Sequence, residues 1–392
     1  MKQGWEIKKL WEVIKLEYGK SLGKSLRKPD GLYPMYGANG IKGRTDEFYY
    51  NKKTIIVGRK GSAGEINLTE DKFWPLDVTY FVTFEEKRDN LIFLFHLLNS
   101  LELPKLAKGV KPGINRNDVY DIKVPLPPLS EQKRIVAILD KAFAAIAKAK
   151  ANAEQNLKNT KELFESFMQE VFENKGEDWE EKVLGELCQF VRGPFGGSLK
   201  KSCFKEFGNA VYEQQHAIHN QFNNIRYFID DIKFEEMKRF ELLPGDLIMS
   251  CSGTMGKVAI VPDGIKRGII NQALLKLTPS NQLDVQYLKN WMNSKVFQES
   301  LAKLTVGAAI KNVASVKILK EIEITLPQLY EQQIIVQKID AFSAETKKLE
   351  VIYHKKIEDL EELKKSILQK AFNGDLTGKE IEEQIATQTN VA

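Results

Sequence analysis

An internal repeat is the feature that most limits what this chain can fold into. Residues 126–172 align without a gap on residues 326–372, and fifteen of the 47 aligned positions are identical. The match continues upstream with a changing offset, because Trp5 pairs with Trp179 at an offset of 174 and two later glycine loops pair at an offset of 192. Such a repeat predicts two copies of one unit. Each copy has a globular segment of variable length followed by a segment of fixed length.

The segments of fixed length have the pattern of long helices. Each follows a turn that contains proline, and no proline then occurs for more than 40 residues. Proline fits the start of a helix and is poorly tolerated inside one. Ser130 is a candidate N-cap for the first helix, and Gly176 and Gly374 suit the ends of the two helices. A helix of about 40 residues is about 60 Å long, which exceeds the diameter of either globular segment.

Apolar side chains repeat along both helices with a heptad spacing, which is typical of a coiled coil. The predicted seam of the first helix is Leu139, Ala142, Ile146, Ala149, Ala153, Asn156, Thr160, Leu163 and Phe167. The predicted seam of the second is Ile339, Phe342, Thr346, Leu349, Tyr353, Lys356, Leu360, Leu363 and Ile367. Chain order favours an antiparallel pair formed by the two helices. The alternative is that each helix lies on its own globular segment.

The globular segments are rich in β-branched and aromatic residues between frequent turns, which is typical of short strands. The predicted fold class is therefore α+β, with two β-rich globular domains separated by a long antiparallel two-helix coiled coil and related by an internal pseudo-twofold repeat. The predicted boundaries are 1–125 for the first domain, 126–176 for the central helix, 177–325 for the second domain, 326–374 for the distal helix and 375–392 for a C-terminal tail.

Composition excludes several classes of protein. Of the 392 residues, 43% are hydrophobic and 28% are charged, so the chain can bury cores and does not resemble a disordered protein. No run of about 18 apolar residues is present, which argues against a membrane-spanning helix, and the first residues do not resemble a signal peptide. Three scattered cysteines do not form a disulfide framework, so we expect a cytoplasmic location.

The net charge of +5 is unevenly distributed along the chain. Residues 1–125 carry 22 Lys and Arg residues against 16 Asp and Glu residues, whereas residues 326–392 carry 9 against 12. A modest basic excess on a globular domain is compatible with contact to phosphate groups. An ordinary solvated surface explains the same excess, so charge alone does not decide between the two interpretations.

A glycine loop follows a predicted strand in each domain, at Gly58–Gly64 and at Cys251–Gly256. A nucleotide-binding loop needs a helix after it, but here an extended, β-branched pattern follows. We therefore predict that the glycines turn a β-hairpin. Side chains on or near these loops and on the basic stretch that begins the second domain are candidates for DNA contact, although each is also compatible with an incidental surface position. The candidates are Arg59, Lys60, Ser62, Arg192, Lys200, Lys201, Ser252, Thr254 and Lys257.

Other catalytic and metal-binding patterns are weak. His216 and His219 lack the further cysteines or carboxylates of a metal site, so we predict no metal. The histidines and cysteines give no nucleophile and base pair. The tetrapeptide Asn-Pro-Pro-aromatic, which holds a flipped base in amino-methyltransferases, does not occur. Two rival functions remain open: a stand-alone adenine DNA methyltransferase and a coiled-coil scaffold that binds only protein.

Taken together, the motifs resemble the specificity subunit of type I restriction–modification systems, over nearly the whole chain. The motifs that carry the resemblance are Leu126-Pro127-Pro128-Leu129-Ser130-Glu131-Gln132 and its copy at 326–332, Trp5-Glu6 and Trp179-Glu180, the loop at 57–64, and Arg192-Gly193-Pro194-Phe195-Gly196. In the second copy of the proline motif Gln328 replaces a proline and Tyr330 replaces the serine. These departures weaken the predicted start of the second helix. They do not change the family that the chain resembles.

The resemblance implies a non-catalytic subunit that recognises DNA in sequence-specific fashion. Each globular domain would read one half of a bipartite, asymmetric site in double-stranded DNA, and the paired helices would set the gap between the halves. Two methyltransferase subunits and two motor–nuclease subunits are the implied partners, and no membrane is implied. The partners would use S-adenosylmethionine, ATP and Mg²⁺, with no cofactor bound by this chain. The implied helix-start and docking residues are Glu131, Gln132, Glu331 and Gln332.

Overall fold

A computed structural model describes residues 4–174, 176–303 and 316–376. Most of the predicted C-terminal tail, residues 377–392, lies outside the described residues. None of the described helices is long and apolar enough to cross a membrane.

The first half of the chain contains nine strands and four α-helices within the described ranges. The strands are β1 Glu6–Lys9, β2 Ile14–Tyr18, β3 Tyr33–Gly37, β4 Gly40–Thr45, β5 Ile55–Gly58, β6 Ile66–Leu68, β7 Trp74–Pro75, β8 Thr79–Phe84 and β9 Lys123–Leu126. The helices are α1 Leu10–Val13, α2 Leu91–Ser100, α3 Arg116–Tyr120 and α4 Leu129–Glu173.

The second half repeats this order and adds helices. Its strands are β10 Glu180–Val183, β11 Cys188–Arg192, β12 Asn209–Tyr212, β13 Phe228–Ile229, β14 Leu247–Ser250, β15 Val258–Ile260, β16 Gly268–Ile270, β17 Leu274–Pro279 and β18 Glu323–Leu326. Its helices are α5 Leu184–Leu187, α6 Gln214–His219, α7 Asp231–Glu236, α8 Val285–Asn293, α9 Lys295–Lys303, α10 Val316–Lys320 and α11 Leu329–Asn373.

The two β-rich domains share one sheet framework. The first has a four-stranded sheet in the order β2-β8-β5-β6, a three-stranded sheet β4-β3-β7 and the pair β1-β9. The second has β11-β17-β14-β15, β13-β12-β16 and β10-β18 in the same roles. The pair that joins the start of each domain to its end has the same register in both, since Glu6 pairs with Leu126 and Glu180 pairs with Leu326.

Insertions in the second domain explain the changing offset of the sequence repeat. The helices α6 and α7 lie between β12 and β14, where the first domain has only the β3–β4 hairpin and a loop. Both insertions leave the four-stranded sheet unchanged. The framework is therefore constant, and the connections between its strands differ.

Both long helices begin and end where their sequence pattern changes. Helix α4 starts at Leu129 and α11 at Leu329, so each starts directly after the proline-containing turn. The prediction that Ser130 caps α4 is wrong, because Ser130 lies inside the first turn and the amide of Gln132 donates to the Pro128 carbonyl oxygen at 3.0 Å. Helix α11 ends at Asn373 and is followed by Gly374 with a φ of +85°, the conformation that favours glycine after a helix.

The chain divides into two compact units, one of residues 1–155 and 353–392 and one of residues 156–352. Each unit therefore contains a segment of both long helices. In the first unit, Lys150 of α4 forms an ion pair with Glu361 of α11 at 2.5 Å, and nearer the helix start Arg134 reaches the Leu376 carbonyl oxygen. In the second unit, Phe167 and Phe342 have ring centres 4.4 Å apart. The helix segments are antiparallel, as predicted.

The predicted seam is correct near the helix starts and wrong near the middle. Leu139, Ala142 and Ile146 of α4 are buried. Asn156 and Leu163 are exposed instead, and Leu157 and Phe164 are the shielded residues. In α11, Leu349 is likewise exposed while Thr346 and Leu360 are buried. In α4 the seam therefore moves by one residue, as happens when four residues are inserted into a heptad pattern. In α11 the predicted seam is correct again at Leu360, Leu363 and Ile367.

Candidate nucleic-acid interface

In the first domain the glycine loop is the turn of a β-hairpin, as predicted. Strands β5 and β6 are antiparallel, with Val57 opposite Ile66. Gly61 and Gly64 have φ values of +81° and +86°, which glycine adopts at the least cost. A Cβ at Gly64 would lie 2.4 Å from the Pro104 nitrogen. The loop thus closes a hairpin, and a strand follows it where a nucleotide-binding loop would have a helix.

Arg59 directly follows β5 and lies beside two tyrosine rings. Its guanidinium carbon lies 5.1 Å from the ring centre of Tyr18 and 6.0 Å from that of Tyr80, and Nη1 donates to the Asp77 carbonyl oxygen at 3.0 Å. The neighbouring Lys60 is exposed and Ser62 is partly exposed. The three predicted side chains of this loop are therefore together at one edge of the domain.

A second arginine, which the sequence analysis did not select, reaches the same tyrosine. The guanidinium of Arg116, at the start of α3, lies 5.1 Å from the ring centre of Tyr18 and 5.7 Å from that of Tyr120. Tyr18 is 48% exposed. Tyr18 and Arg116 lie far from Arg59 in the sequence. The register of β2, β8 and β5 brings Tyr18 beside Arg59, and Arg116 reaches β2 separately, where its Nη1 donates to the Leu16 carbonyl oxygen at 3.5 Å.

A lysine-containing loop, residues 108–113, pairs with the glycine loop along the backbone. The Gly61 amide donates to the Pro112 carbonyl oxygen at 2.9 Å, and the Ile114 amide donates to the Arg59 carbonyl oxygen at 3.0 Å. The loop carries two exposed lysines around the fully exposed Val110. Three lysines within residues 105–111 were the available signal for this segment, but nothing in the sequence placed it beside Arg59.

In the second domain the corresponding loop turns the β14–β15 hairpin. Met249 lies opposite Val258, and the Lys257 amide donates to Ser250 Oγ at 3.0 Å. Thr254 and Lys257 are exposed, and Ser252 is partly exposed. The predicted candidates on this loop are therefore accessible to a ligand.

Arg192 ends β11 and faces the same hairpin. Burial raises the pKa of the Cys251 thiol to about 11, and the positive charge of the neighbouring Arg192 guanidinium opposes part of that rise. The guanidinium carbon also lies 5.7 Å from the ring centre of Phe195, which is 68% exposed. Lys200 and Lys201 are exposed on a segment of short 3₁₀ turns. Among the described residues, no hydrogen bond or ion pair joins these two lysines to the hairpin.

Of the two histidines that raised the question of a metal, His216 makes other contacts and His219 is exposed. His216 is buried, and its Nδ1 lies 2.9 Å from the Glu213 amide while its Nε2 lies 3.1 Å from the Asn224 carbonyl oxygen. Within the part of the chain that the structure describes, no group of three His, Cys, Asp or Glu side chains is arranged to hold a metal ion.

Comparison with known proteins identifies the family. Residues 2–158 and 176–361 each match the type I restriction modification DNA specificity domain. The chain belongs to this family. It is 27% identical to the type I restriction enzyme MjaVIII specificity subunit of Methanocaldococcus jannaschii, over 97% of this chain and 94% of that protein. It is 25% identical to the EcoDI specificity subunit of Escherichia coli, over 96% and 89%.

Two solved structures share the fold. A chain from a type I R-M system, solved to explain complex assembly and conformational transition, superposes with a TM-score of 0.75 at 22% identity over 96% of this chain and 99% of that chain. The HsdS subunit of Thermoanaerobacter tengcongensis gives a TM-score of 0.62 at 22% identity over 96% and 98%. The predicted fold class is confirmed, and this chain is a DNA-specificity subunit rather than a catalytic one.

In this specificity subunit the glutamines of the two proline motifs fix each long helix to its own domain. Gln132 is fully buried, its Oε1 accepts from the Asn90 amide at 2.8 Å, and its Nε2 donates to the carbonyl oxygens of Pro127 at 2.9 Å and Arg88 at 3.3 Å. Gln332 is equally buried and makes the same three kinds of bond. Both side chains are therefore fully used within their own units.

The neighbouring glutamates are also engaged at the helix starts. Glu131 forms an ion pair with Arg134 at 2.7 Å, and Glu331 accepts from Trp179 Nε1 at 2.9 Å. The structure thus places all four residues of this prediction at the helix starts. Their part in docking a methyltransferase stays a prediction.

Proposed function

We propose that this specificity subunit reads a bipartite, asymmetric DNA site, with one half of the site read by each β-rich domain. The observation that carries the proposal is that one sheet framework occurs twice and presents different side chains on its glycine hairpin. Lys60 and Ser62 lie on the first hairpin, whereas Ser252, Thr254 and Lys257 lie on the second. Different hydrogen-bonding side chains on equivalent loops are what reading two different sequences requires.

The proposal includes partners that supply the chemistry. Two methyltransferase subunits using S-adenosylmethionine would bind the paired helices, and two motor–nuclease subunits using ATP and Mg²⁺ would join them. Support comes from the family match and from the similarity to a chain of a type I R-M system. The internal repeat adds to it, because two equivalent helix starts offer two equivalent docking positions.

Mapping methylated adenines across the genome with and without this gene tests the proposal directly. We expect methylation at one bipartite motif that disappears when the gene is deleted, and the motif then gives both half-sites and the gap. A methylation pattern that does not depend on the gene would refute the proposal.

Removing the basic pair of the first hairpin should weaken contact with one half-site only. In the complex with the methyltransferase subunits, we expect the double variant Arg59→Ala, Lys60→Ala to lose hydroxyl-radical protection over one half of the site. The other half should stay protected, because it is read by the second domain. Equal loss over both halves would contradict two independent readers.

Lengthening the paired helices should widen the gap between the half-sites. Seven residues inserted directly after Lys150 and seven directly before Glu361, which face each other, add about 10 Å at 1.5 Å per residue. Because base pairs are about 3.4 Å apart along the duplex, the preferred gap should grow by about three base pairs, as measured by selection from a DNA library with randomised gaps. A heptad in one helix only is the control and should abolish binding. An unchanged gap would exclude the helices as the spacer.

A further inference from the structure

The registers of the two four-stranded sheets relate the two domains residue by residue. In the first sheet the central Tyr80 pairs with Tyr18 on one side and with Val57 on the other. In the second sheet Leu275 occupies this place. Its two neighbours are Arg192 and Met249.

The same correspondence extends to the residues that follow each strand. The Arg59 amide donates to the Val78 carbonyl oxygen, and the Cys251 amide donates to the Ala273 carbonyl oxygen. These acceptors are equivalent, because Val78 lies two residues before Tyr80 and Ala273 lies two residues before Leu275. Tyr18 therefore corresponds to Arg192, and Arg59 corresponds to Cys251.

In both domains an arginine occupies one of these two positions, but it comes from a different strand in each. In the first domain Arg59, after β5, lies over the ring of Tyr18, at the end of β2. In the second domain the arginine is Arg192, at the end of β11, and the residue after β14 is Cys251, whose thiol pKa the nearby positive charge of Arg192 lowers against the effect of burial. Each domain thus has one arginine within this pair of equivalent positions.

Both arginines have charge available for a ligand. Arg88, Arg134 and Arg226 are each held by a carboxylate at 2.7 to 2.9 Å. Arg59 and Arg192 form no ion pair with any residue of the described ranges, and each contacts an exposed aromatic ring. A guanidinium stacked on a ring is held in place while most of its five N–H groups remain free to bind an anion.

We propose that Arg59 and Arg192 are equivalent anchors that each bind a backbone phosphate of the DNA, at the same position relative to its half-site. This inference rests on the proposed function. A base-reading residue would be expected to differ between two readers of different sequences, as the rest of the hairpin does. A phosphate is present whatever the sequence, so it is the DNA group that both domains encounter alike.

Moving the arginine within the first domain tests the proposal. Arg59→Cys removes the anchor, and Tyr18→Arg, Arg59→Cys rebuilds it in the arrangement of the second domain. The control Glu17→Arg, Arg59→Cys adds positive charge to β2 on its other face, because successive strand residues point to opposite faces. Each variant is measured as the complex with its methyltransferase subunits, on the site defined by methylation mapping, and amide hydrogen exchange checks that the domain is folded.

We expect Arg59→Cys to lower affinity about tenfold on specific and nonspecific DNA alike, and to reduce by about one the slope of log affinity against log salt. Tyr18→Arg should restore affinity to within about threefold, and the Glu17→Arg control should not. A neutral methylphosphonate at one backbone position should weaken the wild-type complex and leave Arg59→Cys unaffected.

Two results would overturn the inference. One is failure of the relocated arginine to restore binding in a folded complex. The other is that Arg59→Cys loses affinity only through its discrimination at one base pair of the site, which would mean that Arg59 contacts a base. A wild-type complex without any sequence preference would instead refute the proposed function itself, so the two failures are distinguishable.

Discussion

Replacing Gln332 by leucine should lower the free energy of unfolding of the second unit by about 3 kcal/mol, because buried polar groups without partners each cost about 1–3 kcal/mol. In the structure Gln332 Oε1 accepts from the Asp284 amide at 2.7 Å, and Nε2 donates to the carbonyl oxygens of Gln282 and Pro327, both at 2.9 Å. Leucine fills a similar volume but removes the partner of all three groups, of which the Pro327 carbonyl bond is buried and the other two are partly buried.

The chain supplies a matched control in the next residue. Gln333 is exposed, so Gln333→Leu should change the free energy of unfolding by less than about 0.5 kcal/mol. Denaturant unfolding measures both variants, and hydrogen exchange at the Asp284 amide localises the effect, since that amide should lose protection in Gln332→Leu alone. Equal stability of the two variants would mean that Gln332 does not hold helix α11 to its domain.

The hydrogen bonds of these buried glutamines could not be predicted from the sequence. The pattern of proline, glutamate and glutamine marked the helix starts correctly, because proline and the absence of later prolines act locally. The same pattern gave no indication that Gln132 and Gln332 would be fully buried. Their partners include Asn90 and Asp284, which precede α2 and α8 and are distant in the sequence.

The features of the candidate nucleic-acid interface divide in the same way. Both glycine hairpins were predicted, since a strand, a glycine turn and a second strand are adjacent in the chain. The cluster of Tyr18, Arg59 and Arg116 was not, because it depends on the register of strands from separate parts of the sequence. The seam of α4 failed at Asn156 and Leu163 for a different reason: an α-helix has 3.6 residues per turn, so a strict heptad loses its phase over several turns. Helix α11 keeps the predicted phase at Leu360 and Ile367 although Leu349 is exposed.

Replacing Gly19 by alanine should destabilise the first unit by about 3 kcal/mol, at the upper end of the cost of overpacking. Gly19 follows Tyr18 at the end of β2, and a Cβ there would lie 2.1 Å from the Leu76 carbonyl oxygen and 2.7 Å from Thr79 Oγ1. The backbone must move to relieve this contact, and the Gly19 amide then loses its bond to the Thr79 carbonyl oxygen. Since Tyr18 moves with it, we also expect weaker binding of the first half-site.

Gly23 is the control for this change, because a Cβ at Gly23 would meet nothing closer than Ser25 Oγ at 3.8 Å and its φ of −58° suits alanine. Gly23→Ala should leave the free energy of unfolding unchanged or raise it by about 0.5 kcal/mol, since alanine restricts the unfolded chain. Thermal unfolding compares the two variants, and footprinting of the methyltransferase complex compares the half-sites. If Gly19→Ala kept full stability and full protection of both half-sites, the close approach of β2 to the turn before β8 would not matter for holding Tyr18 beside Arg59.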